Sequence, residues 1–139
     1  MKPFDPELYA KDDLAKFIVI DWLAGIGITA WVNPDDYGID LLGERGSEEF
    51  LIEVEVKHNW SGRIFPFNSI HYSARKLKFL DSKATVKFIT LNHEWTHLAI
   101  VDGDDLGAGQ IVKKKTKYTE QEDFIEIPVS QIKWGVVSA

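Results

Sequence analysis

Gly38-Ile39-Asp40-Leu41-Leu42-Gly43-Glu44-Arg45-Gly46-Ser47, followed by Glu48-Glu49-Phe50-Leu51-Ile52-Glu53-Val54-Glu55-Val56-Lys57, is the stretch on which the reading of this chain turns. Glu49 to Lys57 alternates without a break: Phe50, Ile52, Val54 and Val56 point one way, and Leu51, Glu53, Glu55 and Lys57 the other. A period of two is the period of a strand. Tyr37 to Leu42 reads as the preceding strand, and residues 43–47 carry the glycines and polar side chains of a hairpin loop. The hairpin returns Asp40 to the patch that Glu53, Glu55 and Lys57 share. Clustered carboxylate oxygens suit a hard cation such as Mg²⁺, which is held by one or two carboxylates together with substrate phosphates. A neighbouring lysine can orient or deprotonate a water and offset charge growing on a phosphate. The same residues also fit a cross-strand ion pair on an exposed sheet face.

Outward from this stretch, Asp5 to Ala24 has helical spacing, with Leu14, Phe17, Ile18, Ile20, Leu23 and Ala24 recurring at three and four residues. Asp5 suits the N-cap, Pro6 the first turn, and Gly25 and Gly27 the stop. Ile28 to Val32 reads as a strand and Asn33 to Asp36 as a turn. Residues 58–69 form a polar loop that carries Trp60, Phe65 and Phe67. Ser69 to Ser82 is predicted to be a helix with Leu77 and Leu80 inward. Thr85 to Leu91 and Thr96 to Val101 read as strands, and 110–118 with 124–129 as a hairpin. The order predicts one α/β domain over residues 1–139, built on a mixed sheet.

At 139 residues one domain is the default, and 45% hydrophobic with 27% charged residues describes an ordinary globular chain. The absence of cysteine excludes disulfides, thiolate zinc sites and cysteine nucleophiles. No apolar run reaches the ~20 residues of a membrane span, and the N-terminus has no signal-peptide core. A cytoplasmic protein without a membrane partner is therefore expected. The net charge of −6 hides an asymmetry: −9 over residues 1–55, +6 over 56–90 and −3 over 91–139. An acidic part beside a basic one fits a cation-collecting cluster next to a phosphate-binding surface, and equally an uneven solvated surface.

Gly38-Ile39-Asp40 with Ile52-Glu53-Val54-Glu55-Val56-Lys57 resembles the PD-(D/E)XK nuclease superfamily, which includes restriction enzymes, phage exonucleases and archaeal-type Holliday-junction resolvases. The resemblance implies a restriction-endonuclease-like α/β fold: an N-terminal helix, a three-strand meander, a crossover helix and, here, a C-terminal hairpin. It implies a Mg²⁺-dependent DNA endonuclease, with Mn²⁺ able to substitute, in which a water activated by the metal attacks the phosphodiester directly. By the same likeness, Asp40 and Glu55 are metal ligands, Val56 adds its carbonyl, Lys57 is the catalytic lysine, and Glu53 supports them from behind or replaces one. Ile39 stands where the family often has proline. Many members add an acid from the first helix; Glu7, Asp12 and Asp13 are candidates, and Asp13 is preferred because it precedes Phe17, Ile20 and Ala24 along the helix. The crossover segment offers Ser73 where resolvases carry glutamine. Arg75 and Lys76, with Arg63 from the loop, are candidates for DNA contacts, and the two helix cations also fit plain solvated charges. The small size implies a structure-selective enzyme of the Holliday-junction resolvase type, acting as a homodimer, and would suit a phage.

Two other classes remain in view. One is a nuclease-fold DNA-binding module without activity. The other is a zinc metalloprotease, because His93-Glu94-Trp95-Thr96-His97 satisfies H-E-x-x-H. That chemistry needs both histidines on one helical face, whereas the flanking residues read as strands with a turn at 92–94. The run Lys113 to Lys117 suits either phosphate contact or the protection of a sheet edge. Trp60, Phe65 and Phe67 suit either stacking on unpaired bases or packing beneath their loop.

Overall fold

A computed structural model of the chain describes residues 6–35, 38–114 and 121–137, with side chains of the first helix described from Asp13 onward. The expected N-cap at Asp5, the start of a strand at Tyr37, the acids Glu7 and Asp12 and the far part of the lysine run lie outside the described residues or side chains.

The chain forms α1 (Pro6–Gly25), β1 (Thr29–Val32), β2 (Leu41–Arg45), β3 (Glu48–Lys57), β4 (Ser69–Ser73), a 3-10 helix (Ala74–Asp81), β5 (Thr85–Asn92) and β6 (His97–Asp102). α2 (Gly103–Gly107), β7 (Gln110–Lys114), β8 (Glu122–Pro128) and β9 (Lys133–Val136) follow, with a short 3-10 turn at Val129–Gln131. Six strands make the main sheet in the order β1-β2-β3-β5-β6-β9; β4, β8 and β7 make a second sheet in the order β4-β8-β7. The meander β1-β2-β3 is antiparallel and β3 pairs with β5 in parallel. This is the mixed sheet that the strand pattern predicts, with the expected C-terminal hairpin as β7-β8.

Alternation along β3 divides the core. Phe50 and Ile52 pack with Ala15, Val19 and Leu23 of α1 and with Ile89, Leu91, Leu98 and Ile100. Leu51 faces the other cluster, where Phe88, Ala99 and Val101 of the main sheet meet Ile70, Tyr72, Ile125 and Ile127 of the second. The molecule is thus helix, sheet, sheet. Glu53, Glu55 and Lys57 stand on the face covered by the second sheet.

Three expectations need correction. Residues 69–82 are not one helix. Ile70 and Tyr72 alternate inward against Ile127 and Ile125 of β8, so Ser69–Ser73 is a strand. A 3-10 helix follows, started by Ser73, whose Oγ accepts from the Arg75 N–H. The parallel crossover from β3 to β5 therefore runs through a strand and a 3-10 helix, and Leu77 and Leu80 do turn inward. The second strand begins at Leu41 and continues through the residues read as loop, turning only at Gly46, whose φ is +61°. Finally, α1 buries Ala15, Val19 and Leu23, while Leu14 and Phe17 are each 55% exposed. Apolar residues almost encircle this helix, so spacing alone could not select the buried face. The helix stops as expected: Gly27 has φ +87° and the Ile28 N–H closes on the Leu23 carbonyl.

Candidate active site

The pairing of β2 with β3 ends at Leu41 opposite Ile52, so among the described residues no strand pairs with the last five residues of β3 on that edge. The backbone donors there need partners. Asp40 supplies one: its Oδ2 accepts the Val54 N–H at 2.8 Å. Its own N–H is 3.3 Å from Glu53 Oε1. Period two places the carbonyl of Val56 on the same open edge as the Val54 N–H. Asp40 is therefore fixed against the end of β3 by backbone geometry, as the hairpin argument predicts, although through the residue before β2 and not from within a strand.

Across the sheet face, Lys76 of the 3-10 helix sets its ammonium 2.5 Å from Glu53 Oε2 and 2.9 Å from Glu55 Oε1. Glu53 is buried, and its carboxyl is pushed from 4.5 up to about 7. Burial is the main cause, the neighbouring Asp40 carboxyl adds to it, and the Lys76 charge opposes both. Lys76 is raised, because two carboxylates outweigh its desolvation. Glu55 is more open to solvent than Glu53. The half-buried ammonium of Lys57 lies 4.8 Å from the centre of the Phe67 ring. Desolvation lowers its pKa, Glu55 works against this, and Lys114 reinforces it. A lysine in that state gives up a proton more readily than a solvated one.

Sequence reasoning placed Asp40, Glu53, Glu55 and Lys57 together, and the structure groups them at the end of β3. Lys76 belongs to this group: its charge is engaged by Glu53 and Glu55, where a free phosphate contact was expected. Lys16 was missed. It lies 3.6 Å from Asp40 Oδ1 and 3.7 Å from Asp13 Oδ1. α1 thus delivers a cation to Asp40, and Asp13, 67% exposed, reaches the group only through Lys16. The signal available for Lys16 was its place one turn after Asp13 on the same helix face. Ser73 is buried and already accepts the Arg75 side chain at 3.1 Å. Arg75 is 81% exposed and 3.9 Å from Glu122; Arg63 is exposed on the aromatic loop.

The donor set suits a hard cation: Asp40, Glu55 and the Val56 carbonyl offer only oxygens. The Lys76 ammonium sits between Glu53 and Glu55, not between Asp40 and Glu55. Among the described residues, no three acidic or histidine side chains converge on one point; a cation held here would need water and substrate oxygens besides the protein's own.

The H-E-x-x-H stretch lacks the metalloprotease geometry. His93 to Thr96 form a turn with Trp95 at φ +64°, and His97 opens β6. The Asn92 side chain closes this turn by accepting the Thr96 N–H at 2.8 Å. Glu94, the supposed base, is bound by the Ser61 hydroxyl and by the Gly62 N–H at 2.9 Å, which hold its carboxyl below the usual range.

No protein-family model matches the chain, and no curated protein matches it in sequence. Among solved structures it is similar to Hjc of Archaeoglobus fulgidus, a Holliday junction resolvase from an archaeal hyperthermophile. The two superpose with a TM-score of 0.56 over 86% of this chain and 85% of that one, at 14% identity. The chain has the restriction-endonuclease-like fold. The 3-10 crossover, not a full α-helix, brings Lys76 beside Glu53 and Glu55. Among the described residues, no helix is long and apolar enough to cross a membrane.

Proposed function

We propose that the protein is a divalent-cation-dependent DNA endonuclease, of the structure-selective type that resolves branched DNA. The observation that carries this reading is the grouping of Asp40, Glu55 and Lys57 at the open end of β3 within a restriction-endonuclease-like fold. Asp40, Glu55 and the Val56 carbonyl would hold the cation, Mg²⁺ or Mn²⁺. When bound, it supplies Lewis acidity toward a phosphodiester oxygen and acidifies a water.

The chain's own residues do the rest. The Val54 N–H orients Asp40, leaving Oδ1 outward, where Lys16 lies near it. Lys57, less basic than a solvated lysine, orients the attacking water and shields charge that grows on the phosphate. Glu53 and Lys76 act from behind. Lys76 balances the charge of Glu53 and Glu55, and Glu53 fixes the approach of Asp40 through its backbone N–H. Arg75 and Arg63 are exposed and can meet phosphates, Arg75 by exchanging its 3.9 Å pairing with Glu122, and Asp13 joins through Lys16. The active unit is a homodimer, because symmetric cutting of two strands needs two sites.

The test is incubation with linear duplex, single-stranded, flap and four-way-junction DNA, with and without Mg²⁺. Cation-dependent cleavage, strongest on the junction, is expected. Absence of cleavage on every substrate would overturn the reading.

A further inference from the structure

We propose that the hollow between the 58–68 loop and the edge strand β9 receives an unpaired nucleobase of the DNA; this rests on the nuclease reading above. The hollow has a volume of 520 Å³, within the ~300–1,000 Å³ typical of small-ligand sites. Trp60, Phe65, Ile64 and Trp134 form its walls, with Arg63 and Val136 beside them. Trp134 meets Trp60 at 5.9 Å and Phe65 at 5.6 Å between ring centres. Large apolar surface is nevertheless left to solvent: Trp134 is 48% exposed, Val136 65% and Ile64 73%. A concentration of that kind marks a binding surface.

The chemistry of the walls selects the occupant. Aromatic faces receive a flat, apolar heterocycle, and stacking does not depend on which base it is. Arg63 and His97 are the basic residues of the lining, and among the described lining residues there is no carboxylate to repel a phosphate. Trp60 is itself fully buried and forms the floor, so the ring open to a base is that of Trp134.

Position ties the hollow to the active site. The registers Glu55–Thr90, Thr90–Ala99 and Ala99–Trp134 put Glu55 and Trp134 in one row on one sheet face. Three strand spacings separate them, about 14 Å. At ~3.4 Å per nucleotide step, the base would lie about four nucleotides from the scissile phosphate. A run of rings joins the two places: Lys57 lies on Phe67, and Phe67 meets Phe65 at 5.5 Å. An intact duplex keeps its bases stacked. A junction, flap or bulge offers one that is free, so the hollow would give the enzyme its preference for irregular DNA.

The test measures binding of the full chain, with Ca²⁺ replacing Mg²⁺, to a duplex carrying one bulged 2-aminopurine and to the same duplex fully paired. The parent should prefer the bulged duplex and change the probe's fluorescence. Trp134→Ala should weaken binding of the bulged duplex by roughly 5- to 150-fold, with little change on the paired duplex, and Trp134→Phe should restore most of it. Ile64→Asp, at the most exposed wall, is the second variant and should lower the same preference. Equal binding of both duplexes by the parent overturns the proposal while leaving the nuclease reading intact. Binding of neither overturns both. If Trp134→Ala instead converts a dimer to a monomer without altering the preference, the surface serves self-association and the proposal fails.

Discussion

Replacing Glu53 with Gln should flatten the pH dependence of stability. Glu53 is a buried acid whose pKa rises from 4.5 to about 7, chiefly by desolvation and then by the neighbouring Asp40 carboxyl. Below pH 4.5 the carboxyl is protonated in both folded and unfolded chains. Between 4.5 and about 7 the folded chain keeps a proton that the unfolded chain has released, so stability falls as pH rises through this window. Above it both states are ionised and the cost is complete. At ~1.4 kcal/mol per pH unit, that cost is about 3 kcal/mol. A chain of this size shifts its melting temperature by about 3–5 °C per kcal/mol, so the parent should lose about 10 °C relative to Glu53→Gln between pH 4.5 and 8.5. The variant leaves Lys76 paired with Glu55 alone, which offsets the curves without changing their slope. Thermal melts of both proteins in chelator across this range make the comparison. Parallel curves would refute the placement of Glu53 as a desolvated acid.

Salt titration of duplex binding with Ca²⁺ should separate the two crossover cations. Arg75→Ala flattens the log–log slope by about 0.9 if the exposed guanidinium meets one phosphate, whereas Lys76→Ala, whose ammonium is engaged by Glu53 and Glu55, leaves the slope and lowers the melting temperature. His93→Ala and Glu94→Gln should leave Mg²⁺-dependent cleavage within a few-fold of the parent, and metal analysis should find no stoichiometric zinc. Gly135→Ala should destabilise by about 1–3 kcal/mol in denaturant unfolding, because its Cβ would collide with Leu98 Cδ1 and come within 2.8 Å of Trp22 Cζ2.

The sequence made the site more legible than its surroundings. Alternation from Glu49 to Lys57 both defined a strand and sorted Glu53, Glu55 and Lys57 to one face. A short hairpin left Asp40 little freedom to be elsewhere. The crossover was misread because Leu77 and Leu80 carry a helical interval while the Ile70/Tyr72 alternation spans only five residues. What made that segment a strand is β8, more than fifty residues away, which no local pattern reveals. β9 escaped notice for a similar reason: it has four residues, and its Gly135 exists to let the backbone approach Leu98 and Trp22. Charge partners were the least legible. Lys76 looked like an exposed helix cation until a 3-10 turn aimed it at Glu53 and Glu55, and Lys16 acquires its role only when α1 settles on its Ala15, Val19, Leu23 face.

Cleavage of a four-way junction in Mg²⁺ by Asp40→Asn and Glu55→Gln, each paired with a thermal melt, tests the central claim most directly. Asn keeps an oxygen that can accept the Val54 N–H, and Gln removes only the charge of Glu55, so both variants should stay folded. The account predicts that the parent cuts and that each variant is inactive with its melting transition intact. A variant that retains near-parental cleavage would contradict the assignment of these two carboxylates as the cation-binding pair.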